Sequence, residues 1–126
     1  MKFILDTHVW IWAANGDSRL PRRLAKLLSG CSSEDLGLPD IAIWEAGRVH
    51  RNQELTSGDP REWFNRACRG VTILPITPYI ALLEQGLAWA HRDPADRLIV
   101  STALAEALPI MTVDERILRW DGVATV

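Results

Sequence analysis

Two stretches decide the fold: Lys2-Phe3-Ile4-Leu5-Asp6 near the start and Ile110-Met111-Thr112-Val113-Asp114 near the end. Each is a short apolar run closed by an aspartate. Neither alternates apolar with polar residues, so each predicts a strand covered on both faces. Between them strand and helix signals alternate. That pattern predicts an α/β fold, an α/β/α sandwich around a central parallel sheet.

Working outward, residues 2–6 predict the first strand and 7–14 a helix that ends at Gly16. Pro21 suits the first turn of a second helix, with Gly30 past its end. A short strand is expected at Leu36-Gly37-Leu38. Asp40 then reads as the N-cap of a helix running to about Arg51. Thr56-Ser57-Gly58-Asp59-Pro60 is a loop signal, and Pro60 opens a helix ending near Gly70. Residues 71–74 are a β-branched run stopped by Pro75. Further helices are expected from Pro78 to His91, from Asp93-Pro94 to Ala107, and over 114–120. Strands are expected at 110–113 and 123–126.

Ligands in open parallel sheets gather at the carboxyl ends of strands, where the strand order switches. Asp6 and Asp114 both close strands, so they converge if those strands are neighbours. Each also has a plain alternative role as the N-cap of the helix that follows. Glu45 sits in the helical row Ile41, Glu45, Val49, flanked by Ala42 and Ala46. An acid on that row either pairs with a base, Arg48 being three residues on, or meets a cation. In Asp93-Pro94-Ala95-Asp96 the first aspartate fits an N-cap with proline at the next position. Asp96 instead heads the row Asp96, Ile99, Val100, Ala103, Ala107, which predicts that it faces the sheet. Asp93 is read as a cap with a supporting role.

Asp6, Glu45, Asp96 and Asp114 are thus the candidate catalytic residues, with Asp6, Asp96 and Asp114 as metal ligands. Four carboxylates brought together repel and raise one another's pKa. A hard divalent ion relieves that conflict, which suggests Mg²⁺ or Mn²⁺ and chemistry on a phosphate ester. His8, His50, His91, Cys31 and Cys68 show no CxxC or HxxxH spacing, so a zinc site is not expected.

Composition is consistent with this. At 126 residues and 48% apolar content, residues 1–126 read as one globular domain. No apolar run approaches the ~20 residues of a membrane span. Asp6 interrupts the apolar run near the start, so no signal peptide is expected and two cysteines point to a reducing cytoplasm. A net charge of −2 argues against a protein that coats nucleic acid, though not against a nuclease with an acidic centre. Of 14 basic residues, 12 are arginine, the better partner for phosphate. Arg19, Arg22, Arg23 and Lys26 cluster in one stretch that reads as a solvated helix face. Of Trp10 and Trp12, one is expected inside and the other facing a groove or another subunit.

Four segments, LDTHVWIW at 5–12, IAIWEAG at 41–47, HRDPADRLIVSTAL at 91–104 and PIMTVDERIL at 109–118, occur in one order along nearly the whole chain. In them the chain resembles the PIN-domain family, specifically the VapC-like toxins of type II toxin–antitoxin pairs. The resemblance implies a PIN-like α/β/α sandwich and a metal-dependent endoribonuclease. It carries the family's acidic quartet onto Asp6, Glu45, Asp96 and Asp114, with Thr7 and Thr112 as flanking polar positions and Asp93 as a further acid of the DPADR form. It also implies an RNA substrate, a VapB-like antitoxin and a homodimer. Residues 52–75 match no motif. Rival readings are a PIN-type nuclease of RNA maturation, a phosphoacceptor signalling domain and a non-catalytic binding module. A phosphoacceptor wants a lysine at the pocket, and the chain has only Lys2 and Lys26.

Overall fold

The computed structural model describes residues 1–53 and 55–126. Four parallel strands form the sheet: β1 (Phe3–Leu5), β2 (Leu36–Pro39), β3 (Thr72–Leu74) and β4 (Ile110–Met111), in the order β3-β2-β1-β4. Among the described residues seven α-helices connect them: α1 (Thr7–Asn15), α2 (Arg22–Ser29), α3 (Ile41–Gln53), α4 (Pro60–Arg69), α5 (Pro78–Gln85), α6 (Pro94–Glu106) and α7 (Glu115–Leu118). The chain builds outward from β1 to β3, then returns to lay β4 on the other side of β1. Ile4 is in register with Ile110 and Leu5 with Met111. The strand order therefore switches between β1 and β4, so the neighbouring strands lead to Asp6, directly after β1, and to Asp114, three residues past β4.

Adjacent strand residues point to opposite faces, and each face has its own core. Ile4 and Ile110 pack with Ile99, Val100, Ala103 and Ile117. Leu5 and Met111 pack with Val9, Trp10, Leu38, Ala42 and Trp63. Fully burying one such aliphatic side chain contributes roughly 1.5–3 kcal/mol, so both faces of even a three-residue strand matter. Trp10 and Trp63 are buried, and each finds an acceptor, Ala67 O at 3.1 Å and Asn15 Oδ1 at 2.6 Å. Trp12 is half-buried beside a groove of ≈ 860 Å³, in line with the expected division between Trp10 and Trp12. At Gly37 a Cβ would lie 2.7–2.9 Å from Met1 Sδ, Ile4 Cδ1 and Leu74 Cδ1, so a larger residue in β2 would force the ends of those side chains to shift. Arg19, Arg22, Arg23 and Lys26 are exposed, as a solvated face requires.

Several expectations need correction. The helix expected to reach His91 stops at Gln85, capped by Gly86, and residues 87–93 are irregular. The carbonyls of Leu87, Trp89 and His91 are taken by the Arg97 guanidinium instead of by helical amides. Asp40 turns its carboxylate to the Ile76 amide, 3.2 Å away, rather than to the first amides of α3. Arg48 lies over the Trp44 ring at 5.1 Å, not against Glu45. Ala107 leaves the core row: it is exposed and ends α6 in a left-handed conformation, φ 55°. The ladder of β4 stops at Met111, and the hydroxyl of Thr112 just past it donates to Asp6. The helix expected to reach Trp120 ends at Leu118. The expected last strand is a single parallel bridge from Thr125 to Ile110, supported by Ile110 N to Ala124 O at 3.0 Å.

Candidate active site

Asp6 follows β1 directly. Its Oδ1 accepts from the Thr7 amide at 2.8 Å, capping α1, and its Oδ2 accepts from Thr112 Oγ1 at 2.6 Å. The two alternatives for Asp6 are therefore compatible, since capping uses one oxygen and leaves the other for the site. Thr112 Oγ1 in turn accepts from the Asp114 amide at 3.0 Å. Asp114 caps α7 through the Arg116 amide at 2.9 Å. On the opposite flank, Thr7 Oγ1 donates to Glu45 Oε1 at 2.5 Å. Glu45 rides on α3, half-buried, while the Ala42 and Ala46 it neighbours are fully buried. Asp96 enters from the first turn of α6 and is buried.

Two further groups close the array. His91 Nε2 lies 2.6 Å from Asp96 Oδ2. The Arg116 guanidinium reaches Asp114 Oδ2 at 3.0 Å and Asp96 Oδ2 at 3.6 Å. One continuous chain of contacts thus runs from Glu45 through Thr7, Asp6, Thr112, Asp114 and Arg116 to Asp96 and His91. Asp93 stands beside it: its Oδ1 caps α6 through the Ala95 amide at 3.0 Å. The ligand atoms of His91, Asp93 and Asp96 lie within 4.8 Å of one another. Among the described residues no such tight group unites Asp6, Glu45, Asp96 and Asp114. Those four share one end of the sheet and one bonded network, but Arg116 stands between Asp96 and Asp114.

The electrostatics follow from burial and crowding. Burial pushes the Asp6 carboxyl up; the Thr112 hydrogen bond opposes this, and the charges of Asp96 and Asp114 add to it. Burial likewise raises Asp96, with Asp93 and Asp114 adding repulsion against the hydrogen bond from His91. Glu45 is pushed up to about 7, first by burial, then by Asp96, Asp6 and Asp93, against the Thr7 hydrogen bond. Asp114 behaves differently. Burial works to raise it, but the hydrogen bonds and charge of Arg116 outweigh burial and hold it low. Burial and crowding thus favour the protonated form of Asp6, Glu45 and Asp96, and a cation would change that balance.

A family profile described as PIN domain matches residues 3–123. The chain belongs to the PIN domain family. A curated relative, Ribonuclease VapC22 of Mycobacterium tuberculosis (strain ATCC 25618 / H37Rv), is 26% identical over 116 residues, covering 90% of this chain and 88% of that protein. Among solved structures, the DNA-bound VapBC of Salmonella typhimurium superimposes with a TM-score of 0.73 at 16% identity, covering 100% of this chain and 97% of the other. A toxin–antitoxin complex from Klebsiella pneumoniae gives 0.70 at 21% identity, covering 98% and 97%. These likenesses bear out the PIN-type α/β architecture with its central parallel sheet.

Within this PIN domain, sequence reasoning missed His91, Arg97 and Arg116. His91 and Arg97 flank the DPAD run inside the quoted motif, and that proximity was the available signal. Arg116 lies two residues past Asp114, where a guanidinium reaches back over the cap. His50 Nδ1 accepts from the Leu55 amide, and Cys31 Sγ donates to Leu27 O. Lys2 pairs with Asp35 and Lys26 is exposed on α2, so neither serves the acids as a phosphoacceptor pocket requires.

Proposed function

We propose that this PIN domain is a divalent-metal-dependent endoribonuclease, the toxin of a type II toxin–antitoxin pair acting in the cytoplasm. The single observation that carries the reading is the bonded network linking all four acids where the strand order switches. The donor set suits a hard cation: carboxylate oxygens only, three of them on groups whose burial and mutual repulsion favour a proton over a bare charge. Asp6, Asp96 and Asp114 would hold Mg²⁺ or Mn²⁺. When bound, the ion neutralises phosphate charge and makes water more acidic.

The chain's own groups supply the rest. Thr112 fixes Asp6 and Thr7 fixes Glu45, so neither carboxylate turns freely. In the metal-free site Glu45 is pushed up to about 7; a cation held by the neighbouring acids would favour its ionised form, which suits the group that takes a proton from the attacking water. The water oxygen bonds to phosphorus, one P–O bond of the RNA breaks, and the leaving oxygen is protonated. Asp93 supports Asp96 from the helix cap.

The named likeness to a VapC ribonuclease and to VapBC assemblies supports an RNA substrate and a VapB-like antitoxin. Such an antitoxin would lay an apolar segment in the groove lined by Trp10, Trp12 and Leu28, and a separate stretch of it would carry a basic side chain to the acids, none of which lines that groove. The family resemblance supports a homodimer, for which the exposed Trp44, Tyr79 and Leu82 offer apolar contact surface. Incubating purified protein with labelled RNA in Mg²⁺, Mn²⁺ or EDTA tests the activity. Metal-dependent cleavage lost in Asp6→Asn is expected; cleavage that persists in EDTA overturns the reading.

A further inference from the structure

We propose that His91 is a positioning residue of this site, holding Asp96 Oδ2 so that Oδ1 is presented to the cation. The inference rests on the metal-dependent reading above and goes beyond its four acids. A carboxylate rotates readily about its last torsion, so its orientation must be imposed from outside. With Asp96 ionised, its oxygen only accepts, and the His91 Nε2 that lies 2.6 Å away is the donor. Among the described residues, Asp96 Oδ1 takes part in no hydrogen bond or ion pair, whereas Oδ2 meets both His91 and Arg116.

His91 is itself held at its ring and at its backbone. Its side chain is 12% exposed, unlike the surface His8. Its ring packs against Trp89 at 4.9 Å, and Trp89 stacks on Trp120 at 4.9 Å and 14°. Its backbone carbonyl accepts from Arg97 at 2.9 Å. The same guanidinium binds Trp89 O at 2.7 Å, Glu84 O at 3.0 Å and Leu87 O at 3.4 Å, and it pairs with Glu84 Oε1 at 2.7 Å. A half-buried arginine with its fork occupied in this way fixes an irregular segment that has no helical or strand bonds of its own. The segment it fixes is the one that delivers the imidazole to Asp96. Partners that orient a metal ligand in this way typically change metal affinity by about 10–100-fold when removed.

The test is Mn²⁺ titration of the purified full chain, reading free Mn²⁺ by electron paramagnetic resonance. His91→Ala should weaken binding by about 10–100-fold while thermal unfolding in EDTA stays close to wild type. His91→Gln, whose side-chain amide can donate to the same oxygen, should recover most of the affinity. His91→Leu fills the space without a donor and should not, so comparing the Gln and Leu variants decides the question if the alanine variant folds poorly. Wild-type affinity in His91→Ala, or a glutamine variant no better than leucine, overturns the positioning role. If Asp6→Asn loses Mn²⁺ and His91→Ala keeps it, only this inference fails. If the wild-type chain binds no Mn²⁺, the metal reading fails with it.

Discussion

Glu45→Gln should stabilise the metal-free protein, and the gain should grow with pH. Folding lifts the Glu45 carboxyl from its ordinary 4.5 to about 7, chiefly by burial and then by repulsion from Asp96, Asp6 and Asp93. The folded state therefore binds this proton more tightly than the unfolded state. Its contribution to stability is fully present below pH 4.5 and is lost as pH rises through about 7. Taken whole, a change of that size corresponds to roughly 3 kcal/mol, at ~1.36 kcal/mol per tenfold in proton affinity. Glu45 is only half-buried, and solvent screening reduces the figure to about 1–2 kcal/mol. Glutamine keeps an oxygen for the Thr7 hydroxyl and carries no charge to repel its neighbours. The two proteins should match near pH 5 and diverge by about 1–2 kcal/mol at pH 8, or roughly 3–8 °C in Tm for a chain of this size. Urea and thermal unfolding in EDTA across pH 5–8 measure this. A variant less stable than wild type at pH 8, or a difference that does not change with pH, would refute the reasoning.

Other outcomes follow from the same geometry. Asp6→Asn should abolish RNA cleavage and leave the metal-free fold intact, because asparagine still caps α1 through its oxygen, sheds a repelled charge and can donate from its amide nitrogen to Thr112 Oγ1 in place of the bond Asp6 accepts; cleavage assays beside circular dichroism check this. Asp93→Asn should reduce cleavage far less, and equal loss in Asp93→Asn and Asp96→Asn would show that the two acids share one role. Arg116→Ala removes the internal cation from Asp96 and Asp114, so Mn²⁺ should bind severalfold more tightly by calorimetry, with little loss of stability because Arg116 is largely exposed. An antitoxin peptide carrying a basic plug should bind less tightly as Mg²⁺ rises at constant ionic strength, since both compete for the same carboxylates; affinity independent of Mg²⁺ would rule out inhibition by site occupation.

Local chemistry, which sequence carries directly, determined much of this protein. An acid closing an apolar run marks a strand end, and Asp6 directly follows β1 as that rule predicts, whereas Asp114 lies three residues past the last residue of β4 and caps α7. Asp93-Pro94 announces a helix start through proline's fixed φ and the aspartate cap. An acid in the Ile99, Val100, Ala103 row had to face inward, and Asp96 is buried. Tertiary structure decided what depended on partners distant along the chain. Residues 87–91 have ordinary helix formers, yet the carbonyls of Leu87, Trp89 and His91 bond to Arg97, and no local preference competes with a full fork of charge-assisted donors. Arg48 had an acid one turn away and took the face of Trp44 instead. Which acids meet was set by β4 returning to pair with β1, a long-range register that places Thr112 between Asp6 and Asp114. Periodicity reports which face of an element is apolar; only the packed chain determines which side chain stands opposite it.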